Sequence, residues 1–140
     1  MILTIRISGQ VEIPKEVTET LFRIKLRRKY SAVLLAPTKE NLKLLKKIRS
    51  YVAYGTIDKE TLVQLIKERG QPIKAGDKIS AEKIVEGLAK KSLNDLGLKS
   101  FFRLHPPRGG IDSKKHFGTS SKAVLGDNKE KINDLVRRML

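Results

Sequence analysis

Strand-like and helix-like patterns alternate along the first 70 residues, and that order constrains the fold more than any other feature. Leu3, Ile5 and Ile7 point one way from an extended chain, while Thr4, Arg6 and Ser8 point the other. That is a half-buried strand, with Ile2 as an exception on its polar face. Pro14 opens a helix on which Val17, Leu21 and Ile24 recur at helical spacing, with Phe22 and Leu26 widening the stripe. Its end carries Arg27, Arg28 and Lys29, cations that suit the negative pole of the helix dipole. Residues 31–36 form a short apolar run closed by Pro37, which reads as a buried strand. Thr38 caps a second helix with Leu42, Leu45 and Ile48 on one face and Leu44 beside them. Residues 51–57 read as a third strand. Asp58 caps a third helix carrying Leu62, Leu65 and Ile66, and Gly70 falls where a left-handed C-cap belongs. Three short strands do not hide a sheet alone, so helices must pack on it. The expected class is α+β: a small three-stranded sheet with helices on one face, a ferredoxin-like βαβαβ core, its strand order left open by the residues.

The second half has a different character. Ser80 caps a helix with Ala81, Ile84, Val85 and Leu88 on one face, residues 92–97 read as a helical turn, and residues 101–104 as a short strand. From His105 to Gly126 the chain is rich in Pro, Gly, Ser and Lys without periodicity, and reads as a long loop. Asp127 to Glu130 resembles a capping box ahead of a helix with Ile132, Leu135, Val136 and Met139 on its apolar face. We expect a core over 1–57 and a helical extension over 58–140, with a basic loop at 103–126 and a last helix at 127–140, forming one structural unit.

Charge bounds the function. Thirty Lys and Arg stand against 15 Asp and Glu, a net charge of +15. A compact body with that excess repels itself, and a polyanion relieves the repulsion. No apolar run reaches the roughly 18–20 residues that span a bilayer. No secretory signal opens the chain, so a soluble cytoplasmic protein is the default. Cysteine is absent, which excludes disulfides and thiolate metal sites. Nucleophile-elbow and phosphate-loop motifs and paired histidines at metal spacing are missing too. His105 and His116 stand eleven apart among cations, a poor zinc pair and better phosphate donors. Caps and solvated helix faces account for the scattered acids. Enzymatic activity, a cofactor and a small-molecule substrate are not expected.

Two clusters are candidates for nucleic-acid contact. Arg23, Lys25, Arg27, Arg28 and Lys29 put five cations in seven residues near a helix end, where a phosphate backbone can be met. The plain alternative is a solvated helix end. Arg103, His105, Arg108, Gly109, Gly110, Lys114, Lys115, His116 and Lys122 share the long loop, where glycines admit phosphate closely and Pro106–Pro107 stiffens the approach. Its alternative is a disordered surface loop. Tyr51, Tyr54, Phe101 and Phe102 lack the signature of an RNA-stacking platform and fit the core or its edge better.

At these same residues the sequence resembles a known family. Residues 20–35, Thr-Leu-Phe-Arg-Ile-Lys-Leu-Arg-Arg-Lys-Tyr-Ser-Ala-Val-Leu-Leu, resemble the helix-to-strand segment of the L-thirty family of large-subunit ribosomal proteins. Tyr51-Val-Ala-Tyr-Gly55 is similar to the family's Tyr-Ile-Ala-Trp-Gly, with Tyr54 in place of Trp. Pro107-Arg-Gly-Gly110, His116-Phe117, Gly126-Asp-Asn-Lys-Glu-Lys-Ile-Asn133 and Leu135-Val-Arg-Arg-Met139 resemble its archaeal and eukaryotic branch, whose eukaryotic counterpart is called L-seven. Lys129 stands where Arg often follows the Asp-Asn pair. Bacterial members are similar only over about the first 57 residues, and the basic N-terminal extension of eukaryotic members has no match here, which favours the archaeal type. The resemblance covers nearly the whole chain. It implies an α+β protein embedded in the large subunit, with large-subunit rRNA, nearby 5S rRNA and neighbouring ribosomal proteins as partners, and no membrane. It implies RNA-facing roles for Arg27 and Arg28 in the first helix, for Arg108, Gly109, Gly110 and His116 in the loop, and for Arg137 and Arg138 in the last helix. A free-standing nucleic-acid-binding regulator is the main alternative, although a strand separates the first two helices and no helix-turn-helix is apparent. An RNA-modifying enzyme is the third.

Overall fold

The computed structural model describes residues 2–7, 13–35, 38–69, 84, 86–87, 101–108, 110–116 and 123–139; for 112–116 and 123 the description covers the backbone. The alternation read from the sequence is present as β1 (Ile2–Arg6), α1 (Lys15–Arg23), β2 (Ser31–Leu35), α2 (Lys39–Ile48), β3 (Val52–Thr56) and α3 (Lys59–Arg69). Beyond it lie β4 (Phe101–Arg103), β5 (Asp112–His116), β6 (Ala123–Asp127), a 3-10 turn η1 (Lys129–Lys131) and α4 (Ile132–Met139). The expected features at Gly70, Ser80, 81–83, 85 and 88–97 fall outside the described residues.

The class is α+β with the βαβαβ core, but among the described residues the sheet has six strands rather than three, in the order β4-β2-β1-β3-β6-β5. β1 is central and antiparallel to both neighbours, with Thr4 opposite Val33 on β2 and opposite Tyr54 on β3. β4 extends the β2 edge antiparallel, with Ser31 opposite Arg103. β6 runs parallel to β3 and to β5. The stretch 103–126 is therefore not a long loop without structure. It contributes two strands, whose pairing with β3 and with each other uses backbone hydrogen bonds that the missing side-chain periodicity did not advertise.

Both faces of the sheet are covered. Val17, Leu21, Leu26, Leu45 and Ile48 pack with Ile2, Val33, Val52 and Tyr54 on one face. Leu3, Ile5 and Ile7 pack on the other with Leu62, Leu65 and Ile66 of α3 and with Ile132, Leu135, Val136 and Met139 of α4. α1 and α2 of the βαβαβ core cover one face, and α3 together with α4 forms the second layer. The polar face expected for β1 is the one it shares with Ile2, and α1 and α2 bury it: Thr4 and Arg6 are 0% exposed. A strand in the middle of a sheet covered on both sides has no wet face, whatever its alternation suggests. Two residues placed on apolar stripes are the reverse, with Phe22 of α1 at 45% and Leu42 of α2 at 40% exposure. Tyr54 and Phe102 are buried and Tyr51 and Phe101 half-buried, as expected for core and core-edge aromatics.

α4 is positioned by two buried asparagines. Asn128 donates from its backbone N–H to the Tyr54 carbonyl (2.7 Å) and from Nδ2 to the carbonyls of Val124 (2.7 Å) and Gly126 (3.1 Å). The Asn133 Oδ1 accepts from the Asp58 N–H (2.8 Å), while its Nδ2 donates to the carbonyls of Glu130 (2.7 Å) and Thr56 (3.3 Å). One amide thus ties the end of β3, the start of α3 and the start of α4. The capping box expected over 127–130 takes another form. Asp127 Oδ1 accepts from the N–H of Lys129 (2.9 Å), two residues on, and the helix begins only after the 3-10 turn. At α2 the expected cap is present, with Thr38 Oγ1 accepting from the Asn41 N–H (3.3 Å).

Burial raises the Tyr54 phenol above its usual range; the Asp127 carboxylate adds to this and Arg49 partly offsets it. An unfolded tyrosine ionises near pH ~10. The folded chain resists that ionisation, so its stability is intact below about pH 10 and falls as pH rises beyond it. Tyr54→Phe is expected to reduce the alkaline loss, read as a smaller shift of the urea midpoint between about pH 9 and pH 11 than in the unsubstituted chain.

Candidate nucleic-acid interface

The first cationic cluster lies mostly beyond its helix. α1 ends at Arg23, and the chain leaves it through a left-handed residue, Lys25 (φ 66°). The Lys25 N–H donates to the Phe22 carbonyl (3.1 Å) and the Leu26 N–H to the Leu21 carbonyl (2.8 Å). This pair of bonds closes a helix C-terminus, and a hydrophobic contact commonly goes with it. Here Leu26 and Leu21 are both buried in the same core cluster. Glycine is the usual residue at the left-handed position, and a side chain there costs about 1 kcal/mol. The cap shortens the helix expected from the sequence, and Arg27, Arg28 and Lys29 stand on the turn that follows it.

The turn is closed from both sides. Tyr30, also left-handed (φ 65°), donates its N–H to the Arg6 carbonyl (2.7 Å), and Ser31 donates to the Arg28 carbonyl (3.2 Å). Arg6 Nη1 donates to the Leu26 carbonyl (2.8 Å) from a fully buried guanidinium. Burial lowers the Arg6 pKa, yet an arginine stays charged at any working pH. Arg23, Lys25, Arg27, Arg28 and Lys29 are all exposed, with the Lys29 ammonium 5.1 Å from the Tyr30 ring centre. Ordered backbone with outward cations is a surface that meets phosphates at little entropic cost.

Hydrogen bonds then lead from this turn to the second cluster. The Leu104 N–H donates to the Tyr30 carbonyl (3.0 Å), which sets the exposed Arg103 and His105 beside the turn. The Arg103 guanidinium rests 5.7 Å from the Phe101 ring centre. The His105 N–H donates to the Met139 carbonyl (2.9 Å) and the Arg108 N–H to the Arg138 carbonyl (3.1 Å), so this segment caps the open end of α4. Arg138 answers, donating from Nε to the Arg108 carbonyl (2.8 Å) and from Nη2 to the Gly110 carbonyl. Arg137 reaches α3 instead, donating to Thr61 Oγ1 (3.3 Å) with Asp134 3.9 Å away. Arg108 and Arg137 line a notch of about 400 Å³ with Gln64 and Glu68.

Three segments far apart in sequence thus form one strip: the turn 25–30, residues 103–110 and the end of α4. Gly110 is in it at φ 75° with open space around its Cα, a position where glycine avoids strain. Lys114, Lys115 and His116 lie on β5, with side chains outside the description, and Gly109 and Lys122 fall outside the described residues altogether. Arg138 is committed to carbonyls of the strip itself. Arg6 is the residue that sequence reasoning passed over: its flanking Thr4 and Ser8 suggested a wet face, and nothing local signals a buried clasp. Among the described residues no group of three or more His, Cys, Asp or Glu residues could hold a metal ion, and no helix is long and apolar enough to cross a membrane.

No family model matches the chain. A large ribosomal subunit protein uL30 from Desulfurococcus amylolyticus is 37% identical over 97% of this chain and 96% of its own length. The uL30 protein of Methanococcus maripaludis is 36% identical over 97% of both chains.

The chain belongs to the uL30 family. A third uL30 protein, from Korarchaeum cryptofilum, is 34% identical over all of this chain and 95% of its own length. These archaeal relatives match the branch that the motifs resembled. Within the uL30 motifs, several residues now have structural reasons. Gly55 closes Tyr51–Gly55 because η1 and α4 pack directly on β3: a Cβ there would fall on the Lys129 carbonyl oxygen and lie 2.9 Å from Ile132 Cβ. In the 126–133 motif, Asn128 and Asn133 hold that same junction, so this part of the uL30 signature is a docking device for the last helix.

Proposed function

We propose that this uL30 chain is a structural constituent of the cytoplasmic large ribosomal subunit, that it binds large-subunit rRNA through the cationic strip, and that it has no catalytic role. Neighbouring large-subunit proteins and nearby 5S rRNA are its further partners in this reading, and the core 1–57 and extension 58–140 act as one unit. The observation that carries the reading is the strip itself. Cations that look like two unrelated clusters in sequence are joined through the hydrogen bonds at Tyr30–Leu104, His105–Met139 and Arg108–Arg138. The strip recruits Arg27, Arg28, Lys29, Arg103, His105 and Arg108 as phosphate contacts, and the Arg137 side chain, 48% exposed, completes it at the notch. Lys114, Lys115, His116 and Lys122, with Gly109, join it as contacts that form on RNA. Phosphate contacts of this kind orient a protein on folded RNA without reading sequence.

Sedimentation of cell extract tests the assignment. The protein is expected to travel with the large-subunit peak at physiological salt and to leave it on washing at high salt. A free-standing regulator would remain at the top of the gradient at either salt.

A further inference from the structure

The geometry points to Arg6 as the positioning residue of the RNA-binding turn, an inference that rests on the strip reading. Three observations carry it. The Arg6 guanidinium is 0% exposed and donates to the carbonyl of Leu26, where the turn begins. The carbonyl of the same residue accepts from the N–H of Tyr30, where the turn ends. Between those two points stand Arg27, Arg28 and Lys29, all exposed. One residue of the central strand therefore closes both ends of the segment whose cations face outward.

The chemistry fits a clasp better than a packing role. A buried guanidinium is costly to desolvate, and a core needing only volume is served as well by an apolar side chain. What the apolar side chain lacks is a donor for an inward-facing carbonyl. The turn also holds two residues, Lys25 and Tyr30, in the left-handed region that side chains rarely adopt. Strained backbone persists where surrounding structure over-determines it, and such strain gathers at functional segments. Arg6 supplies part of that determination. A relaxed turn would keep its cations but would have to order them on binding, and fixing a single backbone residue corresponds to about a tenfold loss in affinity.

The test is a double-mutant cycle on rRNA binding with the full chain and deproteinised large-subunit rRNA, at a temperature where every variant is folded. Arg6→Met is expected to weaken binding about tenfold when Arg27, Arg28 and Lys29 are present. On a background of Arg27→Ala, Arg28→Ala and Lys29→Ala it is expected to change affinity less than about twofold, because the groups it positions are gone. Arg6→Lys, which keeps the charge but offers a single ammonium in place of the planar fork, is expected to fall between the two. Equal losses on both backgrounds would overturn the inference and leave the strip reading standing. A triple variant that binds as well as the unsubstituted chain would overturn both. Amide exchange in the unsubstituted chain decides the point without any substitution at Arg6. The Tyr30 N–H is expected to be protected like the β1 amides, and exchange at the rate of an open turn would overturn the clasp.

Discussion

Gly55→Ala is expected to destabilise the chain by about 3 kcal/mol. The methyl group would fall on the Lys129 carbonyl oxygen and stand 2.9 Å from Ile132 Cβ and 3.0 Å from Ile132 Cγ2. None of these atoms is the free end of a flexible side chain. Lys129 is fixed by Asp127 and by its own left-handed backbone (φ 51°), and Ile132 is fully buried at the start of α4. Relief requires η1 and α4 to lift from β3, which uncovers Ile132, Leu135, Val136 and Met139 and strains the Asn133 bonds to Thr56 and Asp58. Against a typical domain stability of about 5–15 kcal/mol the loss is large, and it lowers the melting temperature by roughly 10 °C. Calorimetry checks the magnitude, and limited proteolysis checks the location, with cleavage before α4 expected to appear first. A change in melting temperature under about 2 °C would mean that β3 and the last helix are not in the contact described.

Most of the fold was legible in the sequence because its elements signal locally. Pro14, Thr38 and the helical spacing of Val17 and Leu21 or Leu45 and Ile48 mark α1 and α2 without reference to the rest of the chain. What was not legible depends on neighbours distant in sequence. Alternation along β1 put Thr4 and Arg6 on a wet face, but α1 and α2 cover that face, while the layer over Leu3, Ile5 and Ile7 comes partly from residues more than a hundred positions away. β5 is Asp-Ser-Lys-Lys-His, without an apolar residue, and β6 has only Ala123, Val124 and Leu125 ahead of Gly126, so neither strand shows an alternation from which its pairing could be read. The α1 stripe continued through Leu26 in the sequence, and the left-handed Lys25 that ends the helix has no side-chain signature. For the interface, the cations themselves were plain in the charge surplus. Their assembly into one strip was not, because it is made by backbone bonds such as Leu104 to Tyr30 and His105 to Met139, for which any residue but proline can serve as donor.

Replacing Arg27, Arg28, Lys29 and Arg103 with Ala is expected to weaken binding to large-subunit rRNA by about 10³-fold at 0.1 M salt. All four are exposed, and each phosphate contact released subtracts roughly 0.7–0.9 from the slope of log K against log salt. Four contacts therefore remove about 3 units of slope, and 3 units over the decade from 1 M to 0.1 M salt amount to that factor. The fold should be spared, because exposed side chains away from caps and cores change stability by about 0.5 kcal/mol or less each.

The salt dependence of rRNA affinity, measured side by side for the unsubstituted chain and this fourfold variant, tests the strip most directly. The expected result is a shallower line for the variant, by about 3 units, with the two lines converging near 1 M salt. Parallel lines, or equal affinities at every salt concentration, would show that the RNA meets some other surface of the molecule.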